Sequence, residues 1–275
     1  MQLSSPPDDL FGGVSERIYA TMRILGSDYD GTLTHKLGPA TFAAISAWRQ
    51  AGNLFGIVSG RPVSFREEVL KQYPALELDF FVGYNGAVIT DGVGNVIFEK
   101  RCTEVTAGEL TECMLSLGCP FIHVNSDRYF CVVARDEDRP TWVDPADIIS
   151  PEELPVLPYF HQISTQCPEN EAAAKQVTAA LKETYGDRLN PLQNGTCIDI
   201  PHITINKTQG LLRVAEHFGA GSEDLIAVGD NVNDTDMIRD LYSYAMETGV
   251  ESIKFLADRT TESVAALIMQ ELYKA

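Results

Sequence analysis

Short apolar runs alternate with longer amphipathic segments over the first hundred residues of this chain. Three runs have the length and the continuous apolar character of buried strands: Met22–Ser27, Leu54–Val58 and Leu78–Val82. Between the first two runs, Phe42, Ile45 and Trp48 recur at near-helical spacing and Gly52 follows as a stop, which predicts a helix. Strands separated by helices in this way predict a parallel sheet that is covered on both faces.

The pattern changes near residue 101 and returns after Lys207. The intervening segment contains the strand-like runs Phe121–Val124 and Tyr129–Ala134, a proline-rich loop and an Ala-rich helix. We therefore predict an α/β protein with a Rossmann-like, doubly wound parallel sheet as its core and an inserted α/β unit. The predicted boundaries are a flexible leader at 1–20, a core formed by 21–90 and 195–275, and an insert at 91–194.

Charge and composition restrict the possible partners. The 275 residues carry a net charge of -18, with Lys and Arg too few to neutralise nucleic-acid phosphates or to bind an anionic membrane. No apolar run approaches the roughly 20 residues that span a bilayer. The six cysteines show no paired spacing and the amino terminus lacks the order of a signal peptide, so we expect a cytoplasmic location.

Polar groups follow several of the predicted strands. Asp28 and Asp30 come at the end of the first strand, Ser59 follows the second, and Asp230 follows a later apolar run. Residues two apart in a strand point to the same side, so both early carboxylates can face one pocket. Open parallel sheets bind ligands beyond the carboxyl ends of their strands. The sequence thus predicts one site at this edge, although an isolated D-x-D-G-T also occurs in ordinary turns.

The segment Val228–Met237 is rich in carboxylates and amides and follows a predicted strand. Carboxylate oxygens suit Mg²⁺, and Gly229 frees the backbone beside Asp230, which we predict to be a metal ligand. Asn233 and Asp234 could bind the ion directly or could orient its ligands, and both interpretations stay open. Asp234 is also suited to begin a helix.

Two further segments offer groups for a phosphoryl oxygen. The Ser59 hydroxyl lies beside Gly60 and Arg61 at a predicted helix start, where a free backbone N–H can also bind an anion. The alternative is an ordinary serine cap of that helix. Lys207 opens another predicted helix, and in isolation it would be a solvated surface charge. Within an acidic site it would be the balancing cation.

Taken together, these segments resemble one known superfamily. D-Y-D-G-T, V-S-G-R, the helix-opening Lys207 and G-D-x-x-N-D occur in the order of the haloacid dehalogenase superfamily. An insert between the second and third motifs is similar to the type IIB cap of its Cof-like sugar-phosphatase branch. Tyr84–Ile89 looks like the N-G-A turn of that branch, which makes Asn85 a candidate substrate contact.

The resemblance implies a Mg²⁺-dependent phosphatase that hydrolyses a small phosphate monoester, with a sugar phosphate as the preferred class. Asp28 would form an aspartyl-phosphate, and Asp30 would protonate the leaving alcohol and later deprotonate water. Mg²⁺ would be bound by Asp28, the main-chain carbonyl of Asp30, and Asp230. Lys207 and Ser59 would stabilise the transferred group.

Other roles implied by the resemblance are less specific. Candidate phosphate or loop contacts are Ser59, Gly60, Arg61, Asn85 and Asn233, and Asp234 is a further candidate metal ligand. The insert would close over the site, with four polar residues as candidate specificity determinants: Asn125, Arg128, His161 and Asn194. A phosphomannomutase-like phosphomutase and a noncatalytic phosphate-binding or regulatory protein are the alternatives. The sequence leaves the choice between a monomer and a homodimer open.

Overall fold

A computed structural model describes residues 22–167 and 170–274 of the chain. The predicted flexible leader at 1–20 lies outside the described residues. The described strands form two sheets, one of eight strands and one of six. Among the described helices, none combines the length and the apolar character needed to cross a membrane.

The strands, in chain order, are β1 (Ile24–Asp28), β2 (Leu54–Val58), β3 (Phe80–Gly83), β4 (Val88–Asp91), β5 (Val96–Glu99), β6 (Phe121–Asn125), β7 (Tyr129–Val133), β8 (Ile148–Ile149), β9 (Gln162–Gln166), β10 (Leu192–Asn194), β11 (Cys197–Pro201), β12 (Leu225–Gly229), β13 (Tyr242–Met246) and β14 (Arg259–Thr261). The α-helices are α1 (Pro39–Gln50), α2 (Phe65–Gln72), α3 (Ala107–Ser116), α4 (Glu171–Tyr185), α5 (Lys207–Phe218), α6 (Thr235–Asp240), α7 (Glu251–Leu256) and α8 (Val264–Leu272).

The larger sheet has the strand order β14-β13-β12-β1-β2-β3-β4-β5. Its first six strands are parallel neighbours, and the hairpin β4–β5 adds two antiparallel strands at one edge. β1 pairs with β2 on one side and β12 on the other, which brings Asp28 opposite Val58 and Ser27 opposite Val228. The segments that follow these three strands therefore meet at one edge of the sheet.

Helices cover both faces of the larger sheet because its central strands are apolar on both sides. On one face, Leu25 and Ile57 pack in a buried cluster with Trp48 of α1 and Leu267 of α8. On the other face, residues of the same strands, such as Val58, pack against α5 and α6. Continuous apolar runs of this kind belong to strands that are buried on both sides. The predicted α/β class and doubly wound core are confirmed.

The smaller sheet has the order β10-β11-β9-β6-β7-β8 and is antiparallel except for the β7–β8 pair. One of its faces packs against α3 and α4 around residues such as Leu110, Ile163 and Leu181. This hydrophobic cluster is separate from the clusters of the larger sheet. We call residues 107–201, which carry the smaller sheet and these two helices, the insert.

The chain changes sheets later than the sequence predicts, at both ends of the insert. The predicted boundary between residues 90 and 91 places β5 in the insert, but β5 pairs with β4 in the larger sheet. β11 was assigned to the core by the boundary at 194/195, yet it pairs with β9 and β10 in the smaller sheet. The predicted boundaries followed composition, whereas the backbone hydrogen bonds of each strand decide to which sheet it belongs.

Glu271 of α8 joins the carboxyl-terminal helix to β13 and to the residue that precedes β1. Its buried carboxylate accepts hydrogen bonds from Tyr244, Lys274 and Arg23. Burial alone would raise the pKa of Glu271, but these hydrogen bonds outweigh it and lower the pKa from 4.5 to about 2. The carboxylate therefore stabilises the folded state at neutral pH.

We expect Glu271→Gln to lower the free energy of unfolding by about 2 kcal/mol at pH 7, because it weakens charge-assisted hydrogen bonds at a buried position. A lowered folded-state pKa contributes stability above the unfolded-state pKa of 4.5, and this contribution disappears as the pH falls towards about 2. Urea unfolding of both proteins at several pH values measures the difference. A difference that stays constant from pH 7 to pH 3 would contradict the assignment.

Candidate active site

Asp28 is the last residue of β1 and is 5% exposed. Its Oδ1 lies 2.6 Å from the Nζ of Lys207, the first residue of α5. The side chain of Asn206 caps that helix by accepting a hydrogen bond from the Gln209 N–H at 2.8 Å, which fixes where the helix begins. Lys207 is therefore not the solvated surface charge that it would be in isolation, since it is 1% exposed.

Asp234 is the second partner of Lys207. Its Oδ1 accepts a hydrogen bond from the Lys207 Nζ at 2.6 Å. Its Oδ2 accepts from the backbone N–H groups of Asp230 at 3.0 Å and Asn231 at 3.2 Å. Both carboxylate oxygens thus have partners, and Asp234 joins the ammonium group to the loop that follows β12.

Three carboxylates converge at this point of the sheet edge. Asp28, Asp230 and Asp234 each offer a carboxylate oxygen, and these three atoms lie within 4.8 Å of one another. The Thr32 hydroxyl donates to the Oδ1 of Asp230 at 2.7 Å and so orients that carboxylate. The first two residues were predicted to meet at a metal ion, and their proximity is what this prediction requires.

The electrostatics of the cluster favour an additional cation. Burial raises the pKa of Asp28 well above its usual value, and the charge of Asp234 raises it further, against the opposing effect of Lys207. Burial also raises the pKa of Asp230. Burial disfavours the charged form of Lys207, but the charges of Asp234 and Asp28 outweigh it and raise the pKa of Lys207. Three carboxylates face one ammonium group, so a divalent ion would offset the remaining repulsion.

The surroundings of the carboxylates also fit Mg²⁺. Gly31 has a φ of 83°, and a Cβ at this position would collide with the carboxylate of Asp230. Only glycine allows the turn to approach that side chain so closely. The Oδ1 of Asn233 is buried and has no hydrogen-bond partner among the described residues. Carboxylate oxygens beside an amide oxygen that lacks a partner are suited to a hard cation or to a hydrogen-bond donor of a ligand.

Asp30 follows Asp28 by two residues but its side chain points to a different partner. Arg61 donates to the two carboxylate oxygens of Asp30, from Nε at 2.7 Å and from Nη2 at 2.8 Å. The guanidinium also lies over the ring of Phe65, 4.4 Å from its centroid. The Asp30 side chain is half exposed and does not belong to the carboxylate cluster. Asp30 and Arg61 both line a cavity at this edge of the larger sheet.

A cavity of about 620 Å³ lies between the two sheets at this edge. Ser59, Gly60 and Asn233 line it together with Asp28. The Ser59 Oγ accepts a hydrogen bond from the Arg61 N–H at 3.2 Å, as expected of a residue that shapes the turn after β2. Most of the predicted site residues therefore share one cavity.

Asn85 has a different position from the one predicted. It is buried, has a φ of 56°, and is not among the residues that line the cavity. Its Nδ2 donates to the Oε1 of Gln162 at 2.9 Å and to the Oδ2 of Asp199 at 2.9 Å, both in the insert. The Nε2 of Gln162 donates in turn to the carbonyl of Gly60 at 3.0 Å. Asn85 thus connects the larger sheet to the insert.

The candidate specificity residues of the insert divide into two pairs. Asn125 and Asn194 line the cavity. Arg128 and His161 do not, and the Nε2 of His161 lies 2.7 Å from a carboxylate oxygen of Glu99. His161 therefore belongs to the contact between the insert and the larger sheet.

Sequence reasoning missed Asp199 and Gln162, which both line the cavity. Burial raises the pKa of Asp199 to about 6, while the hydrogen bond from Asn85 and the charge of Lys207 oppose this effect. The sequence contains one signal for Asp199, because it is the single acidic residue within the apolar strand β11. Gln162 offered no signal, because polar residues are common at the start of a strand.

Known proteins of one family are similar to this chain. The profile of the haloacid dehalogenase-like hydrolases matches residues 25–266. An HMP-PP phosphatase from Cronobacter sakazakii is 25% identical over 228 residues, which cover 78% of this chain and 80% of that protein. A phosphoglycolate phosphatase from Methanosarcina mazei is 22% identical over 237 residues, which cover 86% of this chain and 88% of that protein.

Solved structures show the same fold. A HAD subclass IIB sugar phosphatase superimposes with a TM-score of 0.72 at 21% identity, over 91% of this chain and 99% of that one. A haloacid dehalogenase-like hydrolase from B. subtilis gives a TM-score of 0.73 at 19% identity, over 90% and 99% of the two chains. The predicted superfamily and the predicted enzyme class are confirmed. The chain belongs to the haloacid dehalogenase-like hydrolases.

Proposed function

We propose that this protein is a Mg²⁺-dependent phosphatase that hydrolyses a small phosphate monoester of the sugar-phosphate class through an aspartyl-phosphate. The observation that carries this proposal is the contact of the Asp28 carboxylate with the Lys207 ammonium group beside two further carboxylates. The phosphatase relatives support the reaction class. The cysteine composition supports the expected location in the cytoplasm.

Asp28 is the nucleophile in this proposal. Its Oδ1 is held by Lys207 at 2.6 Å and its side chain lines the cavity, so its second oxygen, Oδ2, would attack phosphorus. A bond forms between Oδ2 and phosphorus while the bond from phosphorus to the leaving oxygen breaks. Water then attacks the aspartyl-phosphate, which releases inorganic phosphate and regenerates the carboxylate.

Asp30 moves the protons. It protonates the leaving oxygen in the first half of the reaction and takes a proton from water in the second half. Its carboxylate pairs with Arg61 in the structure, so the acid role requires this pair to open. Oxygen atoms of a bound substrate can open it by taking over the guanidinium, which Arg61 presents at the cavity wall.

Several groups would bind and stabilise the transferred phosphoryl group. Lys207 is already beside the nucleophile, and its charge would offset the negative charge that develops on the phosphoryl oxygens. The Ser59 hydroxyl and the amide of Asn233 line the same cavity. The Nδ2 of Asn233 can donate to a phosphoryl oxygen, whereas its unpartnered Oδ1 can accept only from a hydroxyl group or a water.

Asp28, Asp230 and the main-chain carbonyl of Asp30 would hold the Mg²⁺ ion. When bound, the ion would reduce the repulsion between the anionic nucleophile and the anionic phosphate. Asp234 would orient this arrangement without binding the ion, because Lys207 and two backbone N–H groups already occupy its oxygens.

The lining of the cavity favours hydrolysis over the phosphomutase alternative. A phosphomutase has to hold a bisphosphate intermediate, which requires cationic groups for a second phosphate. Among the described residues that line the cavity, Arg61 is the only Lys or Arg, and it comes from the larger sheet. The described residues that the insert contributes to this cavity therefore offer no cation to a second phosphate.

The proposal predicts Mg²⁺-dependent release of inorganic phosphate. We expect the purified protein to act on members of a panel of sugar phosphates, nucleotides, pyridoxal phosphate and flavin mononucleotide, and to lose activity when EDTA removes the ion. Asp230→Asn should require at least about 10-fold more Mg²⁺ for half-maximal rate, since it replaces a charged ligand by a neutral one.

The Mg²⁺-induced rise in melting temperature gives a readout that is independent of activity. We expect this rise in the wild-type protein and a smaller one in Asp230→Asn. Asp240→Asn, an exposed exchange of the same kind on α6, is the matched control. Inertness towards the whole panel with Mg²⁺ present would favour the noncatalytic phosphate-binding alternative.

A further inference from the structure

The part of the cavity that the insert supplies is neutral or acidic. Its lining from the insert includes the aromatic residues His123, Tyr129 and Trp142 and, within the described part of the chain, no Lys or Arg. Burial lowers the pKa of His123 to about 4, so its ring is uncharged at neutral pH. The ring stacks on Tyr129 at a centroid distance of 5.7 Å. This wall can accept flat or apolar faces of a substrate but offers no positive charge.

Asp199 is the acidic group of this wall. Its Oδ2 is fixed by the Nδ2 of Asn85 at 2.9 Å, and no described residue donates a hydrogen bond to its Oδ1. The carboxylate lies against Gly60, where a Cβ would collide with it, and so it adjoins the loop that carries Ser59. Because its pKa is about 6, the group is mainly ionised at pH 7. A fixed carboxylate with one free oxygen is a strong acceptor for a hydroxyl group.

We propose that Asp199 accepts a hydrogen bond from a hydroxyl group of the leaving alcohol and makes the site selective for monophosphates of neutral, hydroxylated alcohols. This inference rests on the proposed function, because it concerns the part of the substrate that the phosphatase reaction releases. Asp199 would act on specificity and would take no part in the bond changes at phosphorus. Asn85 and Gln162 would position it.

The negative charge of Asp199 also makes the site select against leaving groups that carry an anionic group. A second phosphate or a carboxylate on the leaving group would enter a cavity that contains the Asp199 carboxylate and, among the described residues of the insert, no compensating cation. Burying an anion beside a like charge is strongly unfavourable. A neutral alcohol meets no such penalty, and its hydroxyl groups can donate to the Oδ1 of Asp199 and can contact the amide of Asn125.

Steady-state kinetics with three kinds of substrate test the inference. The hydroxylated monophosphates are ribose 5-phosphate and glucose 6-phosphate, the substrate with a second phosphate is fructose 1,6-bisphosphate, and phenyl phosphate has no hydroxyl group. We expect the wild-type kcat/KM to be higher for the better of the two monophosphates than for the bisphosphate. Asp199→Asn should lower this kcat/KM about 10-fold and Asp199→Ala about 100-fold, while the value for phenyl phosphate changes less than about 2-fold.

Asp199→Asn is chosen because its amide oxygen can still accept from Asn85, so the contact between the sheets persists. Asp187→Asn is the matched control, since Asp187 lies on the insert, is exposed and, among the described residues, forms an ion pair only with Arg188. This control should leave the kcat/KM of every substrate unchanged. Equal losses for all substrates would assign Asp199 a purely structural role and overturn the inference.

Three other outcomes are also decisive. Asp199 variants with the same kcat/KM as the wild-type protein for every substrate would overturn the inference. Wild-type activity on phenyl phosphate or on the bisphosphate that exceeds activity on both monophosphates would overturn it while leaving the proposed phosphatase function intact. Inertness of the wild-type protein towards every substrate would contradict the proposed function itself, so the two failures are distinguishable.

Discussion

Replacement of Asp28 by Asn should lower kcat by at least about 10⁴-fold and leave the protein folded. The amide has the shape of the carboxylate but cannot form the covalent bond to phosphorus. The fold should tolerate the exchange because Asp28 is a buried carboxylate whose pKa is raised by burial and by the charge of Asp234. Removing this charge relieves repulsion in the cluster. Lys207 keeps Asp234 as its partner.

The measurement is the rate of phosphate release with the best substrate of the panel, together with the melting temperature. Asp236→Asn is a control exchange of the same kind on α6, since Asp236 contacts Arg239 at the surface and is not one of the three clustered carboxylates. It should retain at least half of the wild-type rate. Retention of more than a tenth of the rate in Asp28→Asn would rule out Asp28 as the nucleophile.

The positions of the central site residues could be predicted because each depends on local pattern and on a general property of parallel sheets. Apolar runs identified β1, β2 and β12, and the carboxyl ends of parallel strands meet at one edge. Asp28 and Asp230 are near one another for this reason alone. Lys207 could be placed because Asn206 is a strong signal for the start of a helix.

The pairing of side chains across the site could not be predicted in the same way. Arg61 binds Asp30 in the structure, although both were assigned separate roles in the sequence. Such contacts depend on rotamers and on competing partners, which no local pattern encodes. The boundaries of the insert were misplaced for a related reason, since β11 joins the smaller sheet through hydrogen bonds to β9, about 35 residues earlier in the chain.

Asp199 and Gln162 illustrate the limit most clearly. They lie on neighbouring antiparallel strands of the insert, where Gln162 pairs with Pro201 and Asp199 with Ser164. This register brings both side chains to Asn85 of the larger sheet. The cavity wall is therefore a product of strand register and of the packing of two sheets, and it becomes visible only in three dimensions.

Lys207 should make the largest single contribution to stability within the site. It is 1% exposed and donates to two buried carboxylates at 2.6 Å each. Lys207→Met fills a similar volume but leaves Asp28 and Asp234 without a compensating charge. Removal of one partner from a buried ion pair costs about 3–5 kcal/mol, so we expect a loss of this size in the free energy of unfolding at pH 7. Activity should be lost as well.

A second substitution separates charge pairing from packing. Lys207→Met combined with Asp234→Asn removes one of the stranded charges, while the new amide oxygen can still accept from the backbone N–H groups of Asp230 and Asn231. In denaturant unfolding, the free energy of unfolding of the double variant should exceed that of Lys207→Met by at least about 1 kcal/mol, while activity stays absent.

The surface control is Lys36→Met, which breaks the exposed ion pair with Glu262. It should lower the free energy of unfolding by less than about 1 kcal/mol. If Lys207→Met lowered the free energy of unfolding no more than this surface control, the ammonium group would not be the group that stabilises the buried carboxylates. The assignment of Lys207 as the cation of the site would then be wrong.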